Sequence, residues 1–214
     1  MSSDWQHLDP GAESVILTGP ILKSQLTPAA LSPLGLADTP QVAIDGGIRF
    51  AHHPILWAGD GDSGSAPKKI PVMIKTAQDE TDLRFCLNGI HAWRWRDLHL
   101  FGFIGARPDH ALANFGEIHA EIKRRRRFQK CVFYDERLRP LMVFYAAGEH
   151  AFAHRGIFSL LAFERATVSL AGQCRYPAES LVIEALSGAG ISNEAAGDIR
   201  MTSDSPVAIV LPHE

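Results

Sequence analysis

Five short apolar runs in the first half of the chain each stop at a turn or a polar break, and carboxylates gather just behind several of them. The runs are Val15–Leu17 before Thr18-Gly19-Pro20, Gln41–Ile44 before Asp45-Gly46-Gly47, Ile55–Ala58 before Gly59-Asp60, Pro71–Ile74, and Leu98–Ile104 before Gly105. Runs this short, without polar alternation, fit strands covered on both faces, the habit of a parallel sheet. Two segments of helical period lie among them. From Asp79 onward, Leu83, Cys86, Leu87, Ile90 and Trp93 share one face; from Asp109 onward, Leu112, Phe115, Ile118 and Ile122 do so less regularly. Strands alternating with helices predict an N-terminal doubly wound, mostly parallel α/β domain over residues 15–135.

Beyond about Tyr134 the helical period is gone. Leu141–Tyr145, Ile157–Leu161, Thr167–Leu170, Leu181–Ala185, Asp198–Thr202 and Val207–Leu211 read as short strands, with Ala171-Gly172 and Ser203-Asp204-Ser205-Pro206 read as turns. An all-β second domain, a small β-sandwich over residues 140–214, is expected. Polar residues 1–14 read as a mobile tail without the apolar stretch of a secretory signal.

With 214 residues, 46% of them hydrophobic, the chain can bury a substantial core. Its net charge of -3 argues against a nucleic-acid partner. The basic run Lys123–Arg127 reads as cations at a helix C-terminus rather than a polyanion patch. Trp93 and Trp95, flanked by Arg94 and Arg96, could stack nucleobases, but packing into the core is favoured. No run approaches the ~20 apolar residues of a membrane span, so no membrane association is expected. Three distant cysteines, Cys86, Cys131 and Cys174, form no zinc or disulfide pattern and suit the cytoplasm.

The chemistry lies in the acids. Asp45 follows one strand, Asp60 and Asp62 the next, and Asp79 and Asp82 open a helix, where a spacing of three puts them on one face. Ligands of open α/β sheets bind at the carboxyl ends of the strands, so these carboxylates should converge on one rim. An all-oxygen cluster suits Mg²⁺, which shares its coordination between carboxylates and phosphate oxygens. Taken singly, each motif has a plain reading: Gly59-Asp60-Gly61-Asp62-Ser63 as a turn, Asp79 or Thr81 as a helix cap. Their weight comes from their order.

That order resembles the thiamine pyrophosphokinase family. The resemblance rests on Asp45-Gly46-Gly47, Gly59-Asp60-Gly61-Asp62-Ser63, Gln78-Asp79-Glu80-Thr81-Asp82 and Arg107-Pro108-Asp109-His110, with Thr18-Gly19-Pro20 similar to the loop after the family's first strand. Ala171-Gly172-Gln173-Cys174-Arg175-Tyr176-Pro177 and Gly190-Ile191-Ser192-Asn193-Glu194 extend it, so it runs from about Val15 to Leu211. Four positions depart from the family pattern: Gly61 stands where a bulky apolar residue is usual, Ala106 where glycine is, Pro108 where leucine is, and Tyr176 where some members carry tryptophan.

The resemblance implies a homodimer with active sites between one subunit's α/β domain and its partner's β domain. It also implies Mg²⁺-dependent transfer of the ATP diphosphoryl group to the thiamine hydroxyl, releasing AMP. Asp60, Asp62 and Asp82 are the implied metal ligands, and Asp45 and Asp79 complete the shell or take the hydroxyl proton. Gln78 and Ser63 orient phosphate or metal-bound water, Arg107 binds phosphate, Asp109 orients Arg107 or substrate, and His110 and Asn114 face ATP. Tyr176, Ser192 and Asn193, from the partner chain, receive thiamine. The rival readings are a diphosphokinase for another acceptor such as a hydroxymethyl-pterin, a metal-dependent phosphohydrolase, and a non-catalytic sensor.

Overall fold

The computed structural model describes residues 5–62, 66–105, 107–125 and 127–213. The chain divides into two units: one holds the chain to Glu117 plus Phe133–Arg139, the other Ile118–Val132 plus Pro140 onward.

In the first unit, β1 (Ser14–Thr18), β2 (Gln41–Ile44), β3 (Leu56–Gly59), β4 (Val72–Ile74) and β5 (Asp97–Phe101) pair in parallel, in the order β5-β1-β2-β3-β4. Val15, Ile16, Leu17, Val42, Ala43, Leu56, Ala58, Leu98 and Leu100 are wholly buried, as runs covered on both faces must be. Because β2 lies on one side of β1 and β5 on the other, the strand order reverses at β1. Helix α1 (Pro28–Leu31) is one turn long, whereas α2 (Asp82–Gly89) buries Leu83, Cys86 and Leu87. Burial pushes the Cys86 thiol up to about 12, so it packs as a small hydrophobe.

Helix α2 is shorter than its periodicity suggests. The Thr81 hydroxyl accepts from the Arg84 amide and sets the N-terminus, leaving Asp79 outside. Trp93 and Trp95 lie beyond the helix end, yet both are buried, which removes them as a stacking platform. Helix α3 (Pro108–Arg124) starts on its proline, where the missing N–H would have had no helical partner. Leu112 is exposed; the buried side chains of α3 are Asn114, Ile118, Glu121 and Ile122, two of them polar. The N-terminal stretch is not featureless either: Trp5–Leu8 forms a 3₁₀ turn, and Asp9 pairs with Arg94.

The strand β6 (Lys130–Tyr134), unforeseen in the sequence, straddles the division between the units. In the second unit, β7 (Pro140–Tyr145), β8 (Gly148–Ala162), β9 (Ala166–Cys174), β10 (Ala178–Ile183), β11 (Asn193–Ser203) and β12 (Val207–Val210) are antiparallel, in the order β7-β12-β8-β11-β9-β10. β8 changes partner along its length, giving Gly148–Phe158 to β11 and Ser159–Ala162 to β12. The expected turn at Ala171-Gly172 is instead inside β9. Gly172 has φ +109°, and a Cβ there would stand 2.4 Å from the Asp198 carbonyl, so the glycine lets β9 and β11 approach where their register shifts. Lys123 pairs with Glu164 and Arg124 with Glu121, so these two cations of the basic run are engaged locally.

Candidate active site

The carboxyl ends of all five parallel strands open on one cleft of about 590 Å³. Pro20 follows β1, Asp45 follows β2, Asp60 and Asp62 follow β3, Lys75 follows β4, and Gly102 and Phe103 follow β5; all line it. Gln78, Glu80, Thr81 and Asp82 close one side, and Asp109, His110 and Asn114 of α3 another. This is the crevice expected where strand order reverses. A groove of similar volume, about 560 Å³, runs among β9, β10 and β11, but it gathers no such cluster of charge.

Asp45 is 6% exposed and opens a 3₁₀ turn over Asp45–Arg49 in the left-handed region, at φ 45°. The indole Nε1 of Trp57 donates to its main-chain oxygen at 3.0 Å. Gly47 makes the turn sterically feasible, because a Cβ there would lie 1.8 Å from the Thr18 carbonyl. The result is a carboxylate whose Oδ1 is buried with no hydrogen-bond partner. Oxygens of Asp45, Asp60 and Asp62 all lie within 4.8 Å of one another.

Asp60 Oδ1 accepts from the Asp62 amide at 3.0 Å, and Oδ2 accepts from Gln78 Nε2 at 3.3 Å. The Asp62 amide, Gln78 and Lys75 outweigh burial and hold the Asp60 carboxyl below its usual value. Lys75 belongs to no sequence motif, yet it sits among these acids. Its side chain is 6% exposed, with Nζ 2.8 Å from Asp82 Oδ1, 3.9 Å from Asp60 Oδ2, and donating to the Glu80 carbonyl at 3.1 Å. Burial alone would lower its pKa, but the Asp82 bond and the surrounding acids hold it above the ordinary value. Asp82 is itself pushed up by burial and by the charges of Asp60 and Asp45, against the pull of Lys75. A cation would relieve that crowding of acids.

The expected residues thus divide. Asp45, Asp60, Asp62, Gln78, Asp82, Asp109, His110 and Asn114 line the cleft, but Asp79 is exposed and outside it, because Thr81 rather than Asp79 caps α2. The shared helical face proposed for Asp79 and Asp82 therefore does not exist. Asp82, expected as a metal ligand, has its buried Oδ1 2.8 Å from Lys75 Nζ, and the close oxygens are those of Asp60 and Asp62 with Asp45, expected to complete the shell. Asn114 spends its Nδ2 on the Phe103 carbonyl at 3.0 Å, bracing the loop after β5. Arg107 is exposed and pairs with Asp109 through Nε at 3.0 Å and Nη2 at 2.6 Å, which holds the Asp109 carboxyl well below the usual carboxylate range. Ser63 lies outside the described residues.

In the second unit, Asn193 is buried and clips a turn. Its Oδ1 accepts from the amides of Tyr176 and Glu194 at 3.0 and 2.8 Å, and its Nδ2 donates to the Tyr176 carbonyl at 2.8 Å. Tyr176 stays exposed beneath the Arg175 guanidinium, 5.5 Å from its ring centre. Ser192, at φ 59°, bonds through its amide to the Ser159 hydroxyl. Asn193 is therefore a brace for Tyr176, with its amide already committed.

No protein-family model matches the sequence, and no curated protein matches it detectably. Solved structures do. The chain is similar to thiamine pyrophosphokinase from Bacillus subtilis (19% identity, 94% of this chain and 99% of that one, TM-score 0.71). It is also similar to the thiamin pyrophosphokinases from Geobacillus thermodenitrificans (20% identity, 94% and 97%, TM-score 0.70) and yeast (15% identity, 98% and 89%, TM-score 0.70). Over 94% or more of its length the chain has the fold of these proteins.

Proposed function

We propose that this chain is a member of the thiamine pyrophosphokinase family: an enzyme that transfers the diphosphoryl group of ATP to the hydroxyl of thiamine, giving thiamine diphosphate and AMP. The single observation that carries the reading is the convergence of Asp45, Asp60 and Asp62 with Lys75 at the carboxyl ends of a parallel sheet, within a fold shared with those enzymes. The donors fit Mg²⁺: three carboxylate oxygens within 4.8 Å, one buried without a partner, and no thiolate or imidazole among them. Mg²⁺ would neutralise charge on the phosphate oxygens.

The thiamine oxygen bonds to the β-phosphorus, the bond from that phosphorus to the oxygen shared with the α-phosphorus breaks, and AMP departs with the electron pair. The hydroxyl proton passes to a cleft carboxylate or to water. Positioning and charge stabilisation, rather than covalent chemistry, carry such a transfer. Gln78 fixes Asp60, Arg107 meets the phosphates from the rim, Asp109 holds Arg107, and His110 lines the nucleotide's space. In this reading residues 15–135 carry ATP, while residues 140–214, a β-sandwich, carry thiamine recognition and dimerisation. Tyr176 and Ser192 of a second copy receive the thiamine rings, and Asn193 braces Tyr176. The cytoplasm supplies both substrates; among the described residues no helix is long and apolar enough to cross a membrane.

Chromatography of reactions containing purified protein, ATP and Mg²⁺ tests the reading. AMP should form only when thiamine is present, matched mole for mole by thiamine diphosphate. AMP formed equally without thiamine, or none at all, overturns it.

A further inference from the structure

Arg84 joins two walls of the cleft without lining it. Its amide donates to the Thr81 hydroxyl at 3.0 Å, closing the cap that starts α2. Its guanidinium reaches α3: Nε pairs with Glu117 Oε2, and Nη2 donates to the Glu117 main-chain oxygen at 3.2 Å. The two side chains are 19% and 22% exposed, so the pair is largely withdrawn from water. On the α3 side, His110, Asn114 and Glu117 recur at helical spacing and share one face. His110 and Asn114 line the cleft from that face, and Thr81, Asp82 and Leu83 line it from the start of α2. The sheet does not set the gap between these walls. The chain enters α2 from β4 and α3 from β5, and those strands lie at opposite ends of the parallel order β5-β1-β2-β3-β4.

We propose that Arg84 and Glu117 form a strut that fixes the distance between the α2 and α3 walls of the cleft, and so positions both walls around the reacting triphosphate. This deepens the diphosphokinase reading and rests on it. A guanidinium is a planar fork, so one that holds a carboxylate and a carbonyl together fixes orientation as well as distance. Shielded from water, the pair is screened less than a surface pair. Arg84 also belongs to the cap, so a pull on its side chain is passed to the turn that carries Asp82. Glu117 lies one helical turn beyond Asn114, which is itself tied to the Phe103 carbonyl. Neither member touches a reacting atom: both are positioning residues that act through their helices. A transfer that depends on placement loses rate when its walls shift by about 1 Å.

Hydrogen–deuterium exchange of the folded protein without substrates tests the strut independently of the reaction. Arg84→Met should speed exchange in α2 and in residues 108–117 by about tenfold or more, with β1 and β2 unchanged. Glu117→Gln keeps the main-chain oxygen and should act on the same segments less strongly. In steady-state kinetics, Arg84→Met should lower kcat/KM for ATP by about tenfold or more. Arg84→Lys should recover part of that loss, because an ammonium lacks the fork. The double variant should be no worse than Arg84→Met alone, since both changes break one contact. If Arg84→Met fails to fold, as judged by circular dichroism, Arg84→Lys and Glu117→Gln still decide. Exchange that rises evenly through the first unit, or losses that simply add in the double variant, overturn the strut. AMP assays separate the two readings: thiamine-dependent AMP from the parent, with parent kcat and KM in every folded variant, sinks only the strut. The expected exchange pattern without thiamine-dependent AMP from the parent sinks only the reaction.

Discussion

The indole of Trp57 hydrogen-bonds the main-chain oxygen of Asp45, tying a buried core residue of β3 to the turn that aims the carboxylate into the cleft. The bond holds a non-glycine residue at positive φ, a conformation that costs of order 1 kcal/mol or more unless its surroundings enforce it. Replacing Trp57 by Phe removes the donor and part of a fully buried ring. We expect a loss of about 2–4 kcal/mol in urea unfolding, together with weaker Mn²⁺ binding as Asp45 relaxes. A cost below about 0.5 kcal/mol would mean that the bond does not hold the turn.

Asn193 braces the turn that carries Tyr176 through three hydrogen bonds of its amide. In Asn193→Asp the carboxylate keeps the acceptors but loses the donor to the Tyr176 carbonyl. Stability should fall by about 1–3 kcal/mol, and steady-state kinetics should show a raised KM for thiamine with the KM for ATP little changed. Equal rises in both constants would place Asn193 outside the thiamine-binding turn.

Asp135 ties its own turn by accepting from the amides of Arg137 and Arg139 and from Arg139 Nε. Burial would raise its pKa, but these donors, with Arg139 first, hold it below the usual value. A folded-state pKa below the unfolded one, about 3.9, gives stability that is present above that value and is lost as pH falls through the folded pKa. Asp135→Asn should therefore be less stable than the parent at pH 7, by about 1 kcal/mol in urea melts. The gap should close as the pH falls below about 4. A gap that persists unchanged at pH 2 would show that the charge of Asp135 is not what matters.

Arg107 and Asp109 form an exposed pair at the cleft rim, where salt screens charges and net stabilisation is small. Arg107→Ala should leave the melting temperature unchanged while raising the KM for ATP, an effect that lessens at high ionic strength. A drop in melting temperature without a change in KM would make the pair structural.

The sequence announces the cleft through residues whose position is set by strand ends. Asp45, Asp60 and Asp62 follow runs buried on both faces, and such runs are legible because nothing polar interrupts them. Lys75 occupies the same kind of position after β4, and was overlooked because a lone lysine carries no motif; what gives it meaning is burial. Thr81 shows why Asp79 was misplaced: both can cap a helix, and hydrogen-bond geometry chooses. β11 was read as shorter than it is because its inward residues Asn193, Ala195 and Gly197 are small or polar. The first half of β8 is largely exposed and offers no apolar alternation to read. β6 was missed behind the basic run, where Lys130 masks a buried Cys-Val-Phe-Tyr stretch. Leu112 misled in the opposite sense: it completes a helical stripe in sequence, yet α3 buries Asn114 and Glu121.

The most direct test of the account follows the label from ATP carrying ³²P at the β-phosphorus, incubated with the protein, Mg²⁺ and thiamine. Transfer of the diphosphoryl group as one unit predicts label in thiamine diphosphate, with unlabelled AMP as the other product and no thiamine monophosphate at early times. Label that stays in ADP, or that emerges as inorganic phosphate or diphosphate whether or not thiamine is present, would contradict it.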